Sequence, residues 1–170
     1  MSDELIYFQN TGCIPILEAI LNIVTGTKVN ILVENTAVIM GRNYDSDSAI
    51  NLARFVNHEN LKVCLDTCHI GIVAKLFCYD YNYLVKYFST EDVNVKQIHF
   101  NSLSGSDGVK DKNTHSTPHT KQSLVADLQF LKDIGIVTAN LVTEISEDDY
   151  ANYPNTVKQL ELVTTYLEEV

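Results

Sequence analysis

Four strand-like runs of this chain each end in a side chain that can bind a metal ion. The clearest run is Leu61–His69, Leu-Lys-Val-Cys-Leu-Asp-Thr-Cys-His, in which an apolar strand leads into a loop that carries Asp66 and His69. The other three runs end in Glu34, His99 and Glu144. Carboxylates and imidazole are ligands that Zn²⁺ and Mn²⁺ accept in proteins. The residue types therefore predict a metal centre in which carboxylates bring charge and can bridge two ions.

The spacing of these residues follows the length of a βα unit. Glu34, Asp66 and His99 follow one another at intervals of 32 and 33 residues, and Glu144 comes 45 residues later. A strand and its crossover helix take about 30 residues, and the last interval contains an extra polar segment at 102–120. Because the carboxyl ends of parallel strands meet at one edge of a sheet, we expect the four side chains to converge there.

Strand and helix patterns alternate along the chain. Strands are predicted at 29–33, 62–65, 95–100 and 139–143, and helices at 14–24, 46–57, 80–88, 121–134 and 154–168. Asp45 or Ser46 would cap the second helix, and a short apolar stretch should connect the second strand to the third helix. One helix followed by four βα units indicates an α/β fold with a parallel sheet and right-handed crossovers.

Composition limits the class of protein. The chain has 170 residues, 45% of them hydrophobic, which suits a single domain over 1–170 with a sizeable core. No apolar run approaches the roughly 18 residues of a membrane span, and residues 1–6 lack the pattern of a signal peptide. We therefore expect an intracellular, cytoplasmic protein without membrane contact. A net charge of −10 argues against a broad nucleic-acid-binding surface, although cations bound in a carboxylate cleft would reverse the local field.

The cysteines do not form a recognisable zinc motif. Cys13, Cys64, Cys68 and Cys78 contain no C-x-x-C pair, and zinc knuckles need paired close spacings. We expect buried, reduced thiols.

Three strings of residues resemble successive motifs of the endonuclease IV family of apurinic/apyrimidinic endonucleases. They are Ile31–Ala37 (Ile-Leu-Val-Glu-Asn-Thr-Ala), Val63–His69 (Val-Cys-Leu-Asp-Thr-Cys-His) and Ile98–Ser102 (Ile-His-Phe-Asn-Ser). Leu141–Ile145 is more loosely similar to the last strand of the family. Related sugar isomerases and epimerases share the Glu, Asp, His and Glu ligands but rarely these strings. The resemblance covers the chain from about Gly12 onward.

The resemblance implies a metal-dependent DNA-repair hydrolase built on part of a TIM barrel. The family barrel has eight strands and three zinc ions, and such barrels need about 250 residues. This chain would supply strands five to eight, a half-barrel of four parallel βα units preceded by a helix. The other half of the family barrel carries two histidines of the first zinc site. An open half-barrel exposes sheet edges and apolar surface, so we expect a homodimer or a complex with a complementary half-barrel.

The resemblance also assigns the ligands to different zinc ions. Glu34 would bridge two metals, and a second site would be completed by Asp66, His99 and Glu144. The reaction implied is hydrolysis of DNA on the 5′ side of an abasic site. Its catalytic residues would be Glu34, Asp66 and Glu144, with one to three Zn²⁺ ions, or Mn²⁺, as cofactor.

A third metal site would contain His69 and Asp111. The family completes this site with an Asp-Arg-His string, and the matching string here is Asp111-Lys-Asn113. Asparagine thus replaces the family's histidine, and His115 or His119 could substitute from the same segment.

Two other functions are compatible with the residues. A single Mn²⁺ held by the same four ligands would suit a sugar or sugar-phosphate isomerase or epimerase, whose two glutamates exchange protons with the substrate. A non-catalytic scaffold or binding protein derived from the same fold is the other alternative. Two or more zinc ions would favour the nuclease, one Mn²⁺ the isomerase, and no metal the scaffold.

Overall fold

The chain forms an α/β structure around a four-stranded, all-parallel sheet in the order β1-β2-β3-β4. The computed structural model describes residues 12–36, 48–103, 118–145, 147 and 151–169. The strands are β1 (Ile31–Glu34), β2 (Leu61–Asp66), β3 (Val95–His99) and β4 (Asn140–Val142). The helices are α1 (Cys13–Val24), α2 (Ser48–Val56), α3 (Thr67–Phe77), α4 (Tyr81–Tyr87), α5 (Lys121–Asp133) and α6 (Pro154–Glu169). The α/β class and the parallel sheet predicted from the sequence are confirmed.

Helix α3 is absent from the sequence prediction. The predicted short apolar connection after β2 is wrong, because β2 runs directly into this helix. The Asp66 carboxylate stabilises the start of the helix, since it accepts a hydrogen bond from the backbone N–H of His69 at 2.9 Å as the N-cap. His69 therefore lies in the first turn of a helix and not in a loop.

The hydrophobic core lies between one face of the sheet and the helices that cover it. The strands contribute Val33, Val63, Leu65 and Ile98, and the helices contribute, among others, Ile50, Leu124, Phe130 and Leu131. Successive strand residues point to opposite faces, so Leu32 and Glu34 lie on the other face of β1, where both are exposed. That second face carries the predicted metal ligands.

Helix α1 has one buried and one exposed apolar side. Ile14 and Leu21 are buried, whereas Ile16, Ile20 and Ile23 are 62%, 41% and 80% exposed. These three isoleucines follow the i, i+4, i+7 spacing of one helix face, and we call them the isoleucine stripe. The apolar sequence of α1 is thus explained only in part by burial within this chain.

Close packing of α3 against the segment after β3 depends on Gly71. A Cβ atom at this position would lie 2.4 Å from the backbone oxygen of Leu103, well inside van der Waals contact. Any larger residue would push the two backbones apart, so glycine sets the distance between α3 and the residues that follow β3.

Some residues named in the sequence analysis lie outside the described residues. They are Asp45, Ser46, Asp111, Asn113 and His115. Among the helices that are described, none is long and apolar enough to cross a lipid bilayer.

Candidate metal centre

The four strand-end residues converge at the carboxyl edge of the sheet. The Nδ1 atom of His99 lies 3.2 Å from Oε1 of Glu34, 3.4 Å from Oε1 of Glu144 and 4.0 Å from Oδ2 of Asp66. One imidazole nitrogen therefore faces three carboxylates from three other strand ends. Carboxylates this close repel one another, and a divalent cation bound among them would offset that repulsion.

His69 belongs to the same cluster. Its Nδ1 atom lies 3.9 Å from Oε1 of Glu34 and 3.9 Å from Oδ2 of Asp66. The same nitrogen is 2.8 Å from the backbone oxygen of Asn35. Because a carbonyl only accepts hydrogen bonds, Nδ1 is the donor in this contact, which leaves Nε2 as the ring nitrogen that could bind a metal. A carbonyl that holds one ring nitrogen in this way is usual for metal-binding histidines.

Burial divides the cluster into a floor and a rim. The side chain of Asp66 is fully buried and that of His99 is 12% exposed, whereas those of Glu34 and Glu144 are 39% and 45% exposed. The floor residues are fixed by packing. The rim carboxylates can reach a substrate or adjust to a cation.

Residues just after the ligands join the strand ends laterally. The side chain of Asn35, after β1, donates from Nδ2 to the backbone oxygen of Asp66 at 3.0 Å and accepts from the backbone N–H of Asp66 at 2.6 Å. Thr67, which follows β2, donates from Oγ1 to the backbone oxygen of His99 at the end of β3, at 3.2 Å. Thr67 also accepts from the backbone N–H of Asn101 at 2.9 Å.

Asn101 continues this pattern to the last strand, since its Oδ1 accepts from the backbone N–H of Glu144 at 3.2 Å. We call Asn35, Thr67 and Asn101 the strand-end ladder. Each of its members lies one or two residues beyond a ligand and bonds to the backbone of the neighbouring strand end. The ladder thus fixes the spacing of the four ligands where regular strand pairing stops.

Two residues of the site are absent from the sequence prediction. The Sγ atom of Cys64, a carboxylate oxygen of Glu34 and a ring nitrogen of His99 all lie within 4.8 Å of one another. Gln97 places its Nε2 atom 2.9 Å from Nε2 of His99. Both residues precede a predicted ligand by two positions on the same strand, and the two-residue period of a strand could have indicated them.

The four cysteines occupy different environments. Cys64 and Cys68 are buried, as expected, but Cys13 and Cys78 are exposed, so the expectation of burial is wrong for those two. Burial, together with the nearby carboxylates of Glu34 and Asp66, raises the pKa of the Cys64 thiol to about 12. Burial also raises the pKa of Cys68, which packs with apolar residues of α3, to about 12.

His119 is buried, and its ring takes part in a network of hydrogen bonds. Its Nε2 atom lies 3.0 Å from Oδ2 of Asp127, and its Nδ1 atom lies 2.5 Å from Nε2 of Gln159. The imidazole also stacks on Phe100, with ring centroids 4.6 Å apart. Both ring nitrogens have partners within the protein, so His119 is not placed to act as the substitute ligand that the sequence analysis considered.

Asp127 joins two segments of backbone through this network. Its Oδ2 atom accepts the backbone N–H of Leu103 at 3.0 Å as well as the hydrogen bond from His119. Gln159 accepts the backbone N–H of His119 at 2.8 Å through Oε1, so its Nε2 must donate to the ring. We call Leu103, His119, Asp127 and Gln159 the Asp127 clamp. It ties the residues on both sides of 104–117 to α5 and α6.

No protein-family model matches the chain, and no curated protein matches it. The likeness to endonuclease IV motifs therefore depends on the strings 31–37, 63–69 and 98–102, and the function has to be inferred from the geometry of the site.

Proposed function

We propose that this chain is a metal-dependent hydrolase of phosphodiester bonds, with the activity of an apurinic/apyrimidinic endonuclease. The observation that carries the proposal is the convergence of Glu34, Asp66, His99 and Glu144 on one point from four adjacent strands. Nitrogen and carboxylate oxygen ligands in this number suit Zn²⁺, with Mn²⁺ as the next candidate. The motif strings around these residues favour the nuclease among the reactions that such a centre can support.

The residues would share the work according to their burial. Asp66 and His99, on the floor, would hold the cation, and Glu34 would bridge towards a second ion near His69. Glu144, on the rim, would accept a hydrogen bond from water and orient it towards a phosphorus atom. Once bound, the cation would supply Lewis acidity towards a phosphoryl oxygen and would acidify water.

Gln97 would act as a positioning residue. To offer a lone pair on Nδ1, His99 must carry its proton on Nε2 and donate it to an acceptor. The Gln97 amide lies within 2.9 Å of Nε2 and can present its oxygen there by rotation about its last bond. An outer partner of this kind fixes the tautomer and the orientation of a metal-binding imidazole.

A single-ion isomerase or epimerase is the second candidate. It is favoured by the position of His99 Nδ1, which lies within 4.0 Å of all three carboxylates, as around one ion. Glu34 and Glu144 are exposed and could exchange protons with a sugar. The motif strings do not favour this reaction.

The nuclease proposal is tested by cleavage of a DNA duplex that contains one abasic site. We expect the Zn²⁺-loaded chain to cut on the 5′ side of the lesion and to leave an undamaged duplex intact. Glu34→Ala and His99→Ala should each lower the rate by about 100-fold or more, since each removes a ligand. The matched control is Glu161→Gln, which removes an exposed carboxylate on α6 far along the chain.

Metal content distinguishes the outcomes of this assay. Failure to cut by protein that carries two or more zinc ions would reject the nuclease. One Mn²⁺ per chain together with aldose–ketose interconversion would establish the isomerase instead. Protein that binds no divalent metal would leave only the scaffold alternative.

We also propose that the open sheet is completed by a second copy of the chain. Among the described residues, β1 and β4 each pair with one neighbour, and Leu32, Leu141 and Val142 on these strands are exposed. The isoleucine stripe adds an apolar helix face next in sequence to β1. Exposed strand edges and contiguous apolar surface are features that proteins cover with a partner.

Light scattering coupled to size exclusion tests the dimer. We expect twice the mass of one chain, 19.1 kDa, at micromolar concentration, and a shift to monomer when Ile16 and Ile23 are both replaced by aspartate. Val125→Asp, at an exposed position of α5, serves as the control and should remain dimeric. A monomeric wild-type chain would contradict the proposal.

A further inference from the structure

Cys64 lies on the face of the sheet that holds the metal ligands. It precedes Asp66 by two residues on β2, so both side chains point away from the core that receives Leu65. In the strand register, Cys64 pairs with Glu34 on one side and Gln97 on the other. The thiol is therefore level with Glu34 in the register and one step below Asp66 on the same face, within the site and not at its periphery.

The distances around Cys64 suit a metal ligand. Its Sγ atom, a carboxylate oxygen of Glu34 and a ring nitrogen of His99 lie within 4.8 Å of one another. Ligand atoms around tetrahedral zinc lie about 3.5 Å apart, given bonds of about 2.0 to 2.3 Å. The group is therefore slightly wider than a metal-bound one, and Glu34, which belongs to the exposed rim, can move inward when a cation binds.

We propose that Cys64 is a ligand of the metal centre and that, with Glu34 and His99, it selects a thiophilic divalent cation such as Zn²⁺. The inference rests on the proposed metal-dependent function and specifies the cation. On binding, a metal–sulfur bond forms as the S–H bond breaks, and the proton passes to the solvent buffer. A thiolate ligand favours Zn²⁺ over Mn²⁺ and Mg²⁺, which prefer oxygen ligands.

Cys68 provides a natural comparison within the same segment. It is also fully buried, but it lies in α3 with Ile72 and Val73. Its sulfur is not among the groups of possible ligand atoms found in the described residues. Two buried thiols four residues apart therefore differ in the property that the proposal requires, which is access to Glu34 and His99.

Co²⁺ substitution tests the proposal by spectroscopy, without an activity assay. The parent protein carries Cys13→Ser and Cys78→Ser, because both exposed thiols would otherwise bind cobalt. We expect visible d–d bands from bound Co²⁺ and a near-ultraviolet sulfur-to-cobalt charge-transfer band. Cys64→Ser should lose the charge-transfer band and keep the d–d bands, whereas Cys68→Ser should keep both. The preference for Zn²⁺ over Mn²⁺ should fall by about tenfold or more in Cys64→Ser.

The possible failures are distinguishable. Bound Co²⁺ without a charge-transfer band in the parent, or with a band that persists in Cys64→Ser, would overturn the role of Cys64 and leave the metal centre intact. A parent that binds no Co²⁺ would overturn both the centre and this inference. Cys64→Ala, checked for folding by circular dichroism, repeats the test without a hydroxyl that could replace the sulfur.

Discussion

Asp66→Asn is expected to abolish tight metal binding while leaving the fold intact. The carboxylate is fully buried and lies within 4.0 Å of both imidazoles, so its charge is available to a cation at the floor of the site. Asparagine caps helices about as well as aspartate, and it can still accept the backbone N–H of His69. We expect the dissociation constant for Zn²⁺ to rise by about 100-fold or more.

Thermal unfolding measures this effect directly. At a Zn²⁺ concentration 100 times the wild-type dissociation constant, binding should stabilise the wild type by about 2.7 kcal/mol, or about 5–10 °C in Tm. The same concentration should raise the Tm of Asp66→Asn by about 1 °C. Asp80→Asn is the matched control. Asp80 caps α4 in the same way, since its carboxylate accepts a hydrogen bond from the backbone N–H of Tyr83, three residues later. Equal stabilisation of Asp66→Asn and the wild type would show that the cation binds elsewhere.

Among the substitutions considered, Asp127→Ala is expected to lower the free energy of unfolding most. The substitution leaves the backbone N–H of Leu103 and the Nε2–H of His119 without their acceptor in a buried site. Each buried donor left without a partner costs about 1–3 kcal/mol, so the free energy of unfolding should fall by about 2–6 kcal/mol. Asp127→Asn can place its amide oxygen where Oδ2 accepts both of these hydrogen bonds, so it should lose much less stability than Asp127→Ala.

Denaturation in urea at fixed pH tests the Asp127 clamp. The control is Asp133→Ala, on the same helix, where the exposed carboxylate accepts hydrogen bonds from Tyr81 and Gln129 at 2.7 and 2.6 Å. Solvent replaces those bonds when they are lost, so the control should change the urea midpoint little. If Asp127→Ala and Asp133→Ala shifted the midpoint equally, the clamp would contribute no more than a surface contact.

The part of the site that depends on position along a strand could be predicted from the sequence. Glu34, Asp66, His99 and Glu144 end apolar runs, and parallel pairing is enough to bring such ends together. Helix α3 could not be separated from a loop by pattern alone, because Asp66 serves both as the last strand residue and as the helix cap. Helix capping uses the same residue types as strand-end loops.

Contacts between distant residues account for what the sequence analysis lacked. The role of His119 depends on Gln159, 40 residues later, and on a ring stack with Phe100. Nothing in the local sequence marks a histidine as buried and fully hydrogen-bonded. Cys64 could be predicted in part. Its position two residues before Asp66 places both side chains on one face of the strand, but its nearness to Glu34 follows only from the register of β1 with β2.

The strand-end ladder has a consequence for any attempt to move this site to another sheet. Asn35, Thr67 and Asn101 bond to neighbouring backbone groups, so the ends of β2, β3 and β4 are each held by a side chain that follows the strand before. If the four metal-binding residues were grafted without the ladder, the strand ends that carry them could move apart. Metal binding would then have to supply the free energy that orders them. The transferable unit is therefore the ligands with their three ladder residues, and substitutions among its members should not be additive.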